Sequence, residues 1–244
     1  MKEVLQKIIA ESGLASRREA EKMIRNQEVK INGELAILGD RADTRSDLIL
    51  VNGKPLRGKA EKTYLKLNKP IGYTCTNRSF PGEQNIFELL PKGERLFSIG
   101  RLDKDSRGLV LLTNDGDLTQ RLAHPRYEHE KVYEVLIDYR SREENQFLEI
   151  GAGHRLISNL IKGVDIEEGD GVVKAKRALY LQNNRFVITL SEGKKRQVRR
   201  MFSALGYRVK DLKRISFAGL KLGNLKEGAW EKLSKEELKN LDVA

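Results

Sequence analysis

Three segments of the chain carry side chains that could do chemistry. In Gly100-Arg101-Leu102-Asp103-Lys104-Asp105-Ser106-Arg107-Gly108 a Gly-bounded polar loop runs straight into the apolar stretch Leu109-Val110-Leu111-Leu112. Such a loop presents a carboxylate at the rim of a rigid strand, where it can attack or deprotonate a bound substrate. A lone loop Asp is more often solvated or capping. Asp115 and Asp117 fit that plainer reading, one in an Asn-Asp-Gly turn and the other at a helix start. Arg101 alone would pass for a surface cation. The second segment, Glu192 to Phe202 (EGKKRQVRRMF), gathers Lys194, Lys195 and Arg196 where a helix begins, with Arg199 and Arg200 one turn later. Free backbone N–H groups at a helix start add to such an anion site. A charge run is usually a solvated face, but Val198, Met201 and Phe202 give this helix an apolar side that fixes the cations in place. The third segment is His129-Glu130-Lys131-Val132-Tyr133-Glu134-Val135. Tyr133 shares a strand face with Val135 and Ile137, where an aromatic more often packs in a core than reacts.

Other chemistries find little support. Cys75 is the single cysteine and stands too isolated to argue for a thiol nucleophile. With it and only His124, His129 and His154, a zinc site is not expected. Gly151-Ala152-Gly153 lacks the preceding strand of a dinucleotide fingerprint, and no Gly-rich loop ends in Gly-Lys-Ser/Thr. No cofactor and no metal are therefore expected.

Local signals outline the elements that must position these residues. Val4, Leu5, Ile8 and Ile9 share one helical face that Gly13 ends. Ser16 with Glu19 forms a capping box for a second helix, whose buried side is Ala20, Met23 and Ile24. Arg18, Lys22 and Arg25 line up on another face, with Arg17 beside them. Asn32-Gly33 and Asn52-Gly53 mark two short hairpins. The charged, aperiodic stretch 57–62 reads as a linker, dividing the chain into domains 1–58 and 59–244. In the second domain, strands are expected at 64–67, 109–112, 132–137 and 186–190. Helices are expected at 85–90, 117–123, from a Ser141/Glu144 capping box to Gly151, at 197–205 and after Ser234. Interleaved strands and helices with short connections predict an α+β fold, a small helical and hairpin domain followed by a mixed, largely antiparallel sheet with flanking helices.

Charge narrows the partner. Lys plus Arg number 46 against 35 Asp plus Glu in 244 residues, a formal charge of +11. Such an excess favours a polyanion, because cations that neutralise phosphates release condensed counterions. An anionic membrane would attract it too, but no apolar run is long enough to span a bilayer, and the start has no signal-like apolar core. A cytoplasmic, monomeric protein is the expectation.

Together these segments resemble one family over nearly the whole chain. GRLDKDSRGLVLLTNDG is similar to the catalytic motif of pseudouridine synthases of the RsuA branch, which implies Asp103 as nucleophile. KVY resembles the family's Lys-x-Tyr motif and implies Tyr133 as the active-site tyrosine. EGKKRQVRRMF resembles its third motif, and implies that Lys194 pairs with the nucleophile. LNKPIG, residues 67–72, resembles the opening of the catalytic domain. Residues 4–55 resemble the small RNA-binding module named after ribosomal protein S-four. Lys195 and Gly228-Ala229-Trp230 depart mildly from the common pattern. The resemblance implies isomerisation of a uridine in structured RNA without a cofactor, most simply ribosomal RNA; it leans to the large subunit and leaves the small subunit and transfer RNA open. It implies that Asp103, Tyr133, Lys194 and Arg101 line the site, with Arg101 bracing the space the base leaves or the adjacent phosphate. Arg17, Arg18, Lys22, Arg25, Lys195, Arg196, Arg199 and Arg200 would contact RNA. Asp105 is expected to be a bystander whose loss is mild. A non-catalytic RNA-binding or ribosome-assembly factor is the competing expectation. An RNA hydrolase is a third, disfavoured because no second carboxylate apart from Asp105 lies near Asp103.

Overall fold

The computed structural model describes residues 1–78, 81–139, 149–166 and 169–243. The chain forms two compact units. The first comprises 1–64 with 91–97 and 113–116, and the second comprises 65–90, 98–112 and 117–244.

In the first unit β1 (Glu3–Val4) leads into α1 (Leu5–Glu11), and α2 (Arg17–Arg25) follows. Ser16 caps α2 in the expected box: its hydroxyl accepts from Glu19 N–H, while the Glu19 carboxylate accepts from Ser16 N–H. β2 (Val29–Ile31) and β3 (Glu34–Leu35) turn at Asn32-Gly33, then come β4 (Arg41–Ala42), β5 (Ile49–Val51) and β6 (Lys54–Pro55). Asn32 and Gly33, like Asn52 and Gly53, both take positive φ, as a tight hairpin turn with matching twist requires. Leu5, Ile8, Ile9, Ala20, Ile24, Val29, Ile49 and Val51 close the small core. Burying such aliphatic side chains supplies roughly 1.5–3 kcal/mol each. Arg17, Arg18, Lys22 and Arg25 stay exposed on α2. The stretch read as a linker contains no strand or helix, yet it is not a free tether. Ala60 N–H donates to Glu11 O, and the Lys59 amine reaches Glu3 and Glu11 at 3.2 and 2.7 Å.

The second unit is built on β7 (Tyr64–Lys69), β8 (Phe97–Ile99), β9 (Arg107–Thr113), α3 (Gly116–Ala123), β10 (Lys131–Tyr139) and α4 (Ile150–Lys162). After them come β11 (Val164–Asp165), β12 (Val172–Val173), β13 (Arg177–Gln182), β14 (Arg185–Leu190), α5 (Gln197–Ala204), β15 (Tyr207–Phe217), β16 (Leu220–Lys221), β17 (Trp230–Lys232) and α6 (Lys235–Asn240). The sheet runs β13-β14-β10-β15-β9-β7-β17, with β16 on β15 and β8 on β9. Its pairings β13–β14, β14–β10, β10–β15 and β7–β17 are antiparallel, whereas β15–β9 is parallel. The fold is the expected helical and hairpin module followed by a mixed, largely antiparallel sheet with flanking helices.

Three local readings need correction. Gly151 does not end a helix; it lies in the first turn of α4, which runs on to Lys162. The glycine at 153 belongs there because an added Cβ would stand 2.5 Å from the Tyr180 ring of β13. The Ser141/Glu144 box lies outside the described residues. The helix expected over 197–205 stops one residue earlier, with Leu205 as the half-buried C-cap of α5. β15, an 11-residue strand between β10 and β9, had no counterpart among the expected elements.

Candidate active site

The loop before β9 is built from beneath. Lys69, the last residue of β7, is fully buried, and its amine donates to the carbonyls of Ser106 (2.6 Å) and Pro70 (2.9 Å). Burial pushes its pKa below the usual lysine value, against the pull of nearby Cys75, Asp105 and Asp103. Leu102 N–H points at the buried Cys75 sulfur, 3.5 Å away, and burial raises that thiol, so it serves as a weak acceptor and not a nucleophile. Gly72 N–H donates to Lys104 O. At the strand start, Gly108 with φ +106 allows β9 to approach β15; a Cβ there would stand 2.3 Å from the Arg214 carbonyl oxygen. These contacts, none involving Asp103 itself, fix the loop that carries it.

Helix α5 brings the cations. Its N-cap, Arg196, adopts left-handed backbone (φ +51), an uncommon state for a non-glycine residue and one often found at functional positions. The Arg196 guanidinium grips Asp105 with two hydrogen bonds, 3.0 and 2.8 Å, and stands 3.8 Å from Asp103. Arg199 Nε lies 3.2 Å from the Asp105 carboxylate, and Arg199 also donates to Asp105 O at 2.8 Å. Burial alone would raise the Asp105 pKa, but the Arg196 and Arg199 charges outweigh it and hold the carboxyl below the usual range. Asp105 is therefore the tie between the loop and α5, and not the bystander expected. Arg200 is tied down too, donating to Ile166 O and to the Asp170 carboxylate.

These elements surround a cavity of about 390 Å³, lined by Arg101, Asp103, Tyr133, Lys194, Lys195 and Arg196 among others. Every catalytic residue expected from the sequence thus borders one space. One expectation changes within it. The Asp103 side chain keeps 38% of its surface exposed. Lys194 does not pair with it: the amine donates to Asp170 O and sits 3.9 Å from the Asp170 carboxylate, next to the β11–β12 hairpin. Among the described residues, Arg196 is the cation that flanks Asp103. Of the RNA contacts expected on α5, Lys195 and Arg196 line the cavity, whereas Arg199 and Arg200 are partly buried in internal contacts.

Asp115 is more buried than Asp103, but its Oδ2 meets both the Tyr64 hydroxyl (2.9 Å) and the Lys62 amine (2.7 Å), and it does not line the cavity. A carboxylate so engaged is a structural acceptor. Lining residues that sequence reasoning missed include Lys131, Arg214 and Phe217. Lys131 was visible inside the Lys-x-Tyr motif; Arg214 and Phe217 lie on the strand that went unseen. Among the described residues, no group of three or more His, Cys, Asp or Glu could hold a metal and no helix is long and apolar enough to cross a membrane.

Two family models match the chain: RNA pseudouridylate synthase over residues 63–204 and the S4 domain over residues 5–42. An RNA pseudouridine synthase of Aquifex aeolicus, otherwise uncharacterized, is 38% identical over 97% of this chain and 92% of its own length. The ribosomal large subunit pseudouridine synthase B of Bacillus subtilis is also 38% identical, over 98% and 95% of the two chains. The dual-specificity RNA pseudouridine synthase RluF of Escherichia coli K12 is 36% identical over 97% of this chain and 77% of its own. A crystal structure of a pseudouridylate synthase superposes with a TM-score of 0.67 at 32% identity, covering 98% and 99% of the chains.

Proposed function

Because the chain belongs to the RNA pseudouridylate synthase family and isomerises uridine in RNA, we propose that its target lies in ribosomal RNA of the large subunit and that Asp103 is the nucleophile. The observation that carries the second part is the placement of Asp103 on the rim of the cavity that Tyr133 and Arg101 also line. Support for the first part is the similarity to the Bacillus subtilis large-subunit enzyme over nearly the full length of both chains.

A uridine inside a stem cannot reach such a cavity, so the nucleotide must turn out of its stack. Tyr133 then offers a ring face to the base, and Arg101, exposed at the mouth, fills the vacated space or holds the adjacent phosphate. The Asp103 carboxylate faces the anomeric carbon, as in glycoside chemistry. It attacks C1′ and the bond to N1 breaks. The base turns, C5 bonds to C1′ and releases the carboxylate, one proton leaves C5 and one is taken up at N1. Reactant and product have the same atoms. Arg196, 3.8 Å from Asp103, places a cation beside that carboxylate as RNA covers the cavity. Lys194 and Lys195 add to the positive field at the mouth. Residues 1–58 supply affinity and placement through the exposed Arg17, Arg18, Lys22 and Arg25.

Mapping pseudouridines in ribosomal RNA from cells with and without the gene tests both parts when the gene is restored as wild type or as Asp103→Asn. One large-subunit site should vanish with the gene, return with the wild type and stay absent with the variant. A site restored by Asp103→Asn would remove Asp103 from its role, and a loss confined to transfer RNA would remove the ribosomal assignment.

A further inference from the structure

The floor of the cavity holds two cations that the reading above does not use. Arg214 is 1% exposed, yet it lines the cavity. Its Nε donates to Leu109 O at 2.7 Å, while its buried Nη2 has no hydrogen-bond partner. A buried donor on a charged group left without an acceptor is costly. Lys131 lies one strand over. Its amine meets His129 O at 3.2 Å and stands 5.7 Å from the centre of the Phe217 ring; the Arg214 guanidinium stands 5.1 Å from the same ring. Tyr133 is the direct cross-strand neighbour of Arg214, and Lys131 that of Phe217, so all four side chains share one face. Burial, and then the charge of Arg214, pushes the Lys131 pKa down, only partly countered by Glu192. Two like charges held together beside an aromatic ring call for an electron-rich partner.

We propose that Arg214 and Lys131 receive the uracil anion, their donors meeting the carbonyl oxygens of the base while its bond to the sugar is broken. This rests on the reading of the cavity as a uridine-isomerising site. When C1′–N1 breaks, its electron pair goes to the base, and the negative charge spreads over N1 and the two carbonyl oxygens. Asp103 forms the new bond to C1′ at the rim. The anion then lies against Tyr133 and directly over the two cations, which hold it while it turns to present C5. A fixed, desolvated pair of donors stabilises such developing charge far better than water does. A backbone phosphate is the poorer fit: it stays on the outer strand of the RNA, whereas Arg214 is sealed in the floor.

The test varies the leaving group. Full-length wild type, Lys131→Met and Arg214→Met are compared in single turnover with saturating RNA stem-loops carrying the mapped target as uridine or as 5-fluorouridine. Loss of the parent nucleoside is the readout. Fluorine withdraws electrons and stabilises the base anion without help from the protein. On uridine each variant should be slower by on the order of 100-fold, the effect of removing one anion-stabilising donor. On 5-fluorouridine the defect should shrink several-fold, with RNA affinity unchanged on both. Equal defects on the two RNAs, or a defect in affinity alone, would overturn the proposal, the latter indicating a phosphate clamp. Should Arg214→Met fail to fold, Lys131→Met decides alone, since its amine holds a single carbonyl. Failure of the wild type to consume uridine would instead sink the underlying reading.

Discussion

Asp105 and Arg196 form a two-pronged ion pair, with both guanidinium nitrogens on the two carboxylate oxygens at 3.0 and 2.8 Å. It joins the loop that carries Asp103 to the start of α5, and Arg199 reinforces it from the more buried side. Both members keep over two-fifths of their side-chain surface exposed, so the pair adds little to global stability. Its effect is on geometry. Asp105→Asn should slow single-turnover isomerisation by roughly 10- to 100-fold, the scale on which small misplacements act. The midpoint of unfolding should barely move. A rate equal to wild type would return Asp105 to the status of a surface residue.

Arg196 and Lys194 can be separated by their rates. Arg196→Met removes the cation 3.8 Å from Asp103 together with the partner of Asp105, so single-turnover isomerisation at saturating RNA should slow by roughly 10- to 100-fold. Lys194→Met should be far milder, because its amine rests on Asp170. The opposite pattern would mean that RNA draws Lys194 off Asp170 and onto Asp103.

The exposed cations of α2 predict a salt effect. Replacing Arg18, Lys22 and Arg25 together by Gln should weaken binding to structured RNA. It should also lower the slope of log affinity against log salt by up to about 2–3, close to one per lost phosphate contact. The single-turnover rate at saturating RNA should not change. An unaltered slope would assign RNA capture to the cavity mouth instead.

Acid stability should depend on Asp211. Two hydrogen bonds from Arg107, 2.9 and 2.7 Å, hold its carboxyl below the ordinary range. In the unfolded chain an Asp titrates near pH ~3.9, so between the two values the unfolded chain binds more protons. The stabilisation is complete above the unfolded value and is lost as pH falls through the folded one. Asp211→Asn should cost about 1–3 kcal/mol at neutral pH. Denaturant unfolding at about pH 6 and about pH 3 should show this gap closing with acid; a gap that is constant or widens would contradict the linkage.

What could be read from the chain beforehand was what depends on neighbours in sequence. The Ser16/Glu19 and Ser234/Glu237 boxes and the Asn32-Gly33 and Asn52-Gly53 turns are satisfied within a few residues, and each forms as expected. The loop-then-strand signature around Asp103 is local as well. β15 escaped because Arg208, Lys210, Asp211, Lys213 and Arg214 crowd its 11 residues, hiding the alternation of a strand. Arg214 is buried there only because Leu109, 105 residues earlier, offers its carbonyl. Gly153 reads as a helix breaker until the Tyr180 ring is seen against it. The same holds for Lys194: nothing near it in sequence reveals that Asp170 will claim its amine.

The parallel seam between β9 and β15 bears on how the protein becomes active. It pairs Arg107 with Lys213 and Gly108 with Arg214, joining the two sides of the cavity across more than a hundred residues. Contacts so distant along the chain are slow to form, because a long loop must close before they stabilise anything. The hairpin β13–β14 and helices such as α5 can assemble earlier from nearby residues. In refolding from denaturant, catalytic competence should therefore lag behind the return of helix and strand signal. A nascent chain released before its last forty or so residues would have the Asp103 loop yet lack the strand that brings Arg214 and Phe217 to the same cavity.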